Sequence, residues 1–129
     1  MLRRRKNRDF FPRVPSGLIA HTEKGTFLVK TGKRFRFVSD RAQASWNLRV
    51  VESNEFTMKD IPISGIVGFR DGTLIRDISS HKIYLISDNK KMHVVNPDTL
   101  RNLGFKISDI ILVSSKEATL HRDGGILSG

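Results

Sequence analysis

The chain carries nearly the same message twice, and that duplication limits its fold more than any single residue. Gly17-Leu18-Ile19 is followed by Phe27-Leu28-Val29, a two-residue turn at Thr31-Gly32, the basic pair Lys33-Arg34, and Phe35-Arg36-Phe37-Val38. Later, Gly72-Thr73-Leu74-Ile75 leads to Tyr84-Leu85-Ile86, a turn at Asp88-Asn89, the basic pair Lys90-Lys91, and Met92-His93-Val94-Val95. Further on, Val51-Glu52-Ser53-Asn54-Glu55 matches Val113-Ser114-Ser115-Lys116-Glu117. Units of roughly 55 residues are marginal alone, so the two are expected to pack together around a shared core.

Each copy reads as a strand, a hairpin and two short helical turns. In the first, Gly17 to Ala20 is a strand. Thr26–Lys30 and Lys33–Val38 form a hairpin, with glycine supplying the positive φ of the tight turn. Arg41 to Trp46 suits a helix capped by Ser39 or Asp40, Leu48 to Val51 a strand, and Ser53 to Lys59 a turn of helix capped by Ser53. In the second, Gly72 to Arg76 is a strand, and Ile83–Ser87 and Lys90–Val95 form the hairpin. Asn96-Pro97 opens a helix that ends near Gly104. Ile110 to Val113 is a strand, and Ser114 with Glu117 makes a capping box. Pro62 and Gly65 in Ile61–Gly65 mark the boundary. The expected organisation is an arm at 1–16, repeat one at 17–65, repeat two at 66–125 and a tail at 126–129. The expected class is α+β, mostly antiparallel β: two tandem repeats of a three-stranded unit with short helices, preceded by an extended basic arm.

The two-residue turns fix the register. Lys30 falls opposite Lys33, Val29 opposite Arg34, Leu28 opposite Phe35 and Phe27 opposite Arg36. One face then carries Leu28, Phe35 and Phe37, and in the second copy Ile83, Leu85, Met92 and Val94; this is the expected core. The other is mixed: Phe27, Val29, Arg34 and Arg36, and then Tyr84, Ile86, Lys91 and His93. It reads either as a half-covered face with arginine stems over Phe27, or as a recognition surface gripping an acidic or phosphate-bearing partner.

Charge is unevenly spread. Residues 1–66 hold 14 Lys/Arg against 6 Asp/Glu, and residues 67–129 hold 9 against 7. Arg3, Arg4, Arg5, Lys6, Arg8 and Arg13 supply much of the excess in the arm, which Pro12 and Pro15 keep extended. Such a run favours a polyanionic partner or serves as a solvated tail. Phe10 and Phe11 look like apolar anchors that fold back on their own domain or insert into a neighbour.

Catalytic and metal signatures are missing. There is no cysteine, which excludes disulfides and thiolate chemistry. It also favours an intracellular origin or support from neighbours in an assembly. His21, His81, His93 and His121 show no ligand spacing; His93 reads as a strand residue and His121 as a solvated one. Ser39, Ser45, Ser53, Ser79, Ser80 and Ser114 sit in turn and cap contexts, and no nucleophile elbow or phosphate loop occurs. No apolar run reaches the length of about 18 residues that suggests a membrane span, and no apolar stretch follows the basic N-terminus to make a secretory signal. The reading is of a non-enzymatic chain with no cofactor, no metal and no membrane partner.

Gly72-Thr73-Leu74-Ile75-Arg76, Ile83-Tyr84-Leu85-Ile86, Lys90-Lys91, Leu103-Gly104-Phe105 and Val113-Ser114 together resemble a short repeat of bacterial cell-surface proteins and tailed-phage structural proteins. The resemblance covers nearly all of 71–125 and extends to 16–65, where Phe27 stands in place of tyrosine. It implies a non-catalytic assembly or surface-binding module. The leading expectation is a structural protein of a tailed-phage virion (tail, neck, baseplate or capsid decoration), assembled in the host cytoplasm, with other virion proteins as partners in a symmetric assembly. Its partner-binding residues are expected to be Arg3, Arg4, Arg5, Lys6, Arg8, Phe10, Phe11, Arg34, Arg36 and Lys91. The alternatives are a sequence-nonspecific nucleic-acid-binding module and a polysaccharide-binding module using Phe27, Tyr84 or Trp46 as a platform.

Overall fold

The computed structural model describes residues 16–128. Its architecture grows from the two hairpin turns. Thr31 and Gly32 take φ of 53° and 73°, and Asp88 and Asn89 take 53° and 61°. Two consecutive left-handed residues twist the chain in the sense its flanking strands need. Strand β2 (Gly25–Lys30) therefore pairs antiparallel with β3 (Lys33–Phe37), with Lys30 opposite Lys33 and Phe27 opposite Arg36. In the same way β7 (Ile83–Ser87) pairs with β8 (Lys90–Val94), with Ser87 opposite Lys90. Strands β1 (Leu18–Thr22) and β6 (Leu74–Asp77) add antiparallel to β2 and β7. These are the two expected three-stranded cores.

Each core then gains two strands. Strands β4 (Val50–Glu52) and β9 (Ile110–Val113) return parallel to β1 and β6. On the other side, β5 (Ile63–Val67) neighbours β3, and β10 (Arg122–Ile126) runs parallel to β8. The result is α+β with two five-stranded mixed sheets of one order, β4-β1-β2-β3-β5 and β9-β6-β7-β8-β10. The duplication is thus one of topology. Strands β5 and β10 fall where the sequence suggested a linker and the end of the fold. Both contain glycine, which weakens strand patterning, and both are edge strands, where such residues are tolerated.

The helices are short and capped by side chains. Helix α1 (Asp40–Trp46) starts at Ser39, and α2 (Glu55–Met58) starts at Asn54, whose side chain accepts from the Thr57 N–H. Ser53, the expected cap, precedes it by one residue. Helix α3 (Pro97–Asn102) opens on Asn96-Pro97, and α4 (Ser115–Ala118) has the Ser114–Glu117 capping box. Ala20 pairs with Val51 and Ile75 with Ile111, so Val51 corresponds to Ile111 and not to Val113. With that register Asn54 answers to Ser114, and Met58 to Ala118.

The chain forms two compact units. One is the chain up to Arg36 with Arg49–Gly65; the other is Phe37–Leu48 with Ile66–Gly129. Helix α1, which lies in repeat one by sequence, therefore belongs to the second unit. The first unit buries Ala20, Val29 and Met58 against Leu18, Val51 and Ile61. In the second, one cluster joins Ile75, Tyr84, Ile86, Val113 and Ala118 to Phe69 and to Ala42 of α1. The other joins Leu74, Leu85 and Val94 to Leu100 of α3. Both faces of the second sheet are covered. Tyr84 and Ile86 belong to the mixed face, so that face is covered more fully than the half-covered alternative read from the sequence.

Candidate interaction surfaces

The mixed faces of the hairpins are built alike. Phe27 lies between two guanidinium groups, with the Arg34 and Arg36 Cζ atoms 4.7 and 5.0 Å from the ring centroid. Tyr84 lies between Lys91, whose Nζ is 5.3 Å from the ring, and the His93 ring at 5.5 Å. Cross-strand and diagonal neighbours on one face of a hairpin meet in this way. The rings themselves are not offered to a partner, because Phe27 is 0% exposed and Tyr84 9%.

Arg34 is internal. Its Nη1 and Nη2 donate to Glu55 at 2.6 and 2.7 Å, and its Nε donates to the Ile61 carbonyl at 2.8 Å. Its side chain is only 5% exposed. Glu55 also accepts from Thr22 Oγ1 at 2.5 Å. The Arg34 hydrogen bonds, helped by Thr22, hold the Glu55 carboxyl at about 2. Arg34, named from sequence as a partner-binding residue, instead joins β3 to α2 by a bidentate pair. Arg36 is half-buried and donates to the Lys24 carbonyl. Lys91 is half-buried beside the Ala118 carbonyl and Asp123. Arg3, Arg4, Arg5, Lys6, Arg8, Phe10 and Phe11 lie outside the described residues.

The root of the arm is placed. Ser16 Oγ accepts from the Thr31 N–H at 2.9 Å, and the Gly17 N–H donates to the Val29 carbonyl at 2.9 Å. Exposed Lys30 and Lys33 flank that turn, so residue 16 lies beside two cations.

Several other polar groups hold the fold. In the second unit Glu117 accepts from Ser114, from Ser39 Oγ at 2.5 Å and from Arg41 at 3.0 Å, joining the first turns of α1 and α4. Burial pushes its carboxyl up, but these donors together hold it below the usual range. Asp77 is held low by the Ser115 hydroxyl and the Ser79 N–H. Trp46 Nε1 donates to the Gly68 carbonyl at 2.9 Å, which anchors the indole. His121 is buried, contrary to the sequence reading. Its Nε2 accepts from the Phe69 N–H and its Nδ1 donates to the Asn89 carbonyl, both at 2.9 Å. A side chain at Gly68 would run into that imidazole, so the glycine ahead of Phe69 is the trace His121 leaves in the sequence. Burial lowers the pKa of His121. Among the described residues no group of three or more His, Cys, Asp or Glu is placed to hold a metal, and no helix is long and apolar enough to cross a membrane.

Compared with protein-family models, curated proteins and solved structures, the chain matches none.

Proposed function

We propose that this chain is a non-enzymatic assembly module that engages neighbouring protein subunits through its basic arm and the surfaces of its repeats. One observation carries the reading. Ser39, Ser114, Ser115, Glu55, Asp77 and Glu117 are employed in caps and cross-element hydrogen bonds, while apolar side chains such as Phe56, Ile66, Leu103, Leu112 and Ile126 stand at least half exposed. Exposed apolar residues on edge strands and short helices are the material of protein contacts. The likeness of residues 71–125 to repeats of tailed-phage structural proteins supplies the setting, a virion. Deleting residues 1–15 tests the arm: incorporation into particles is expected to fall at least tenfold, and unchanged incorporation refutes the role.

Lys30 and Lys33 at the arm's root favour a second reading, nonspecific binding of nucleic acid. Several phosphate contacts would make affinity fall steeply between low and physiological salt. A flat response in a fluorescence titration with duplex DNA excludes it.

A further inference from the structure

The two sheets differ at one matched pair of positions. In the first, His21 of β1 stands opposite Glu52 of the outer strand β4, with Nδ1 2.9 Å from Oε1. The Glu52 side chain is 81% exposed. In the second, Arg76 of β6 stands opposite Leu112 of the outer strand β9. The carboxylate is gone where an arginine stands in place of the histidine. Arg76 Nη2 lies 3.3 Å from His81 Nδ1, and its Nε is buried with no hydrogen-bond partner. Leu112 is 56% exposed, and Ile78, two residues beyond Arg76, is 54% exposed.

Strand β9 reads Ile110-Ile111-Leu112-Val113, without a charge, and is outermost in its sheet. Proteins blunt such edges with charged side chains, bulges or very short strands, and β9 has no charged side chain. The Arg76 guanidinium is hydrogen-bonded to His81 and, among the described residues, to no carboxylate. An added strand carrying a carboxylate would fill the edge and bring an acceptor to that guanidinium.

We propose that β9 receives the β4 edge of a second copy of this chain, with Glu52 of the incoming copy reaching the Arg76 guanidinium. Charge selects the occupant. Strand β4 is also outermost, its Val50 is 46% exposed, and Val50 and Glu52 share one face as Ile110 and Leu112 do. Joining β9 to β9 would bring no carboxylate to either Arg76, because β9 carries none, and joining β4 to β4 would set Glu52 against Glu52. The β4-to-β9 contact brings opposite charges together and leaves a free edge at each end, so copies add in a row. Strands of three and four residues make a weak single contact that gains strength by repetition. The inference rests on the assembly reading above and names its partner.

The test is sedimentation velocity of the full chain at physiological salt, up to about 1 mM. Concentration-dependent association is expected for the native chain. It should weaken at least tenfold in Arg76→Glu and in Glu52→Arg, and return when the two are combined and the signs exchanged. Leu112→Lys, at an exposed position with little bearing on folding, should block association while circular dichroism stays native. A monomeric native chain at the highest concentration overturns the proposal, as does association that Leu112→Lys leaves intact. If either occurs while arm deletion still abolishes incorporation, self-association falls and the assembly reading stands.

Discussion

Arg34 and Arg36 stand two residues apart on one face of β3 and flank the same ring, yet their surroundings give them different work. Arg34 makes three hydrogen bonds from a side chain 5% exposed, two of them to Glu55. Replacing it with alanine leaves the poorly solvated Glu55 carboxylate with only Lys24 Nζ, 3.9 Å away, as a cation, and should cost about 3 kcal/mol in urea unfolding. Arg36→Ala removes one bond to a carbonyl and should cost under about 1 kcal/mol. A larger loss at Arg36 would reverse this assignment. His121 adds a dependence on pH. A proton on its Nε2 would face the Phe69 N–H, so the folded state resists it, and burial holds its pKa below the usual 6.5. The unfolded chain takes up that proton more readily, so stability is full above about 6.5 and declines as the pH falls below it. Glu55 acts in a separate window: its stabilisation is present above 4.5 and is lost as the pH falls toward about 2. Thermal melts should therefore show the melting temperature falling as the pH drops below about 6.5 in the native chain, with a flatter profile in His121→Asn. An identical slope in the variant would exclude His121 as the cause.

Among the elements, what could be read from sequence was local and what could not was distant. The hairpins were legible because Thr31-Gly32 and Asp88-Asn89 are turn chemistry, and a two-residue turn dictates every pairing behind it. Asn96-Pro97 and the Ser114–Glu117 box were legible for the same reason. Strands β5 and β10 were not, because Gly65 and the pair Gly124-Gly125 break the apolar alternation that marks a strand. Nor was the reciprocal latch between first strand and last helix. In one copy the hydroxyl is on the strand and the carboxylate on the helix, Thr22 to Glu55; in the other they are exchanged, Asp77 to Ser115. The buried destinations of Arg34 and His121 likewise depend on segments 21 and 52 residues away. Helix α1 shows the limit best, since its capping was readable and the sheet it covers was not. Ala42 is fully buried in the second unit's core, whereas Ala44 on the same helix is exposed. Ala42→Leu should therefore overpack that core and cost about 2 kcal/mol, and Ala44→Leu should be nearly neutral. Equal effects in chemical denaturation would mean that α1 does not pack there.

At the scale of the whole chain, the repeat written in the sequence and the unit that folds have different boundaries. The duplication places a break at 65/66, but the second unit also takes Phe37–Leu48, so the chain leaves the first unit after Arg36 and re-enters it at Arg49. A fragment cut at the sequence boundary would lack Ala42 over Ile75, Tyr84 and Ile86. It would lack the Trp46 bond to Gly68, and Ser39 and Arg41 on Glu117. A small domain has little stability to lose, so removing one wall of its core and three polar ties should leave residues 66–129 without fixed tertiary packing. Residues 37–129 contain every segment of that unit and should fold. The dispersion of amide resonances in a proton–nitrogen NMR spectrum separates the two outcomes. A peptide of residues 37–48 added in trans should restore dispersion to the shorter fragment, because it supplies the missing wall. If residues 66–129 give a dispersed spectrum alone, α1 is an accessory to the second unit and the boundary drawn from the repeat is also the folding boundary.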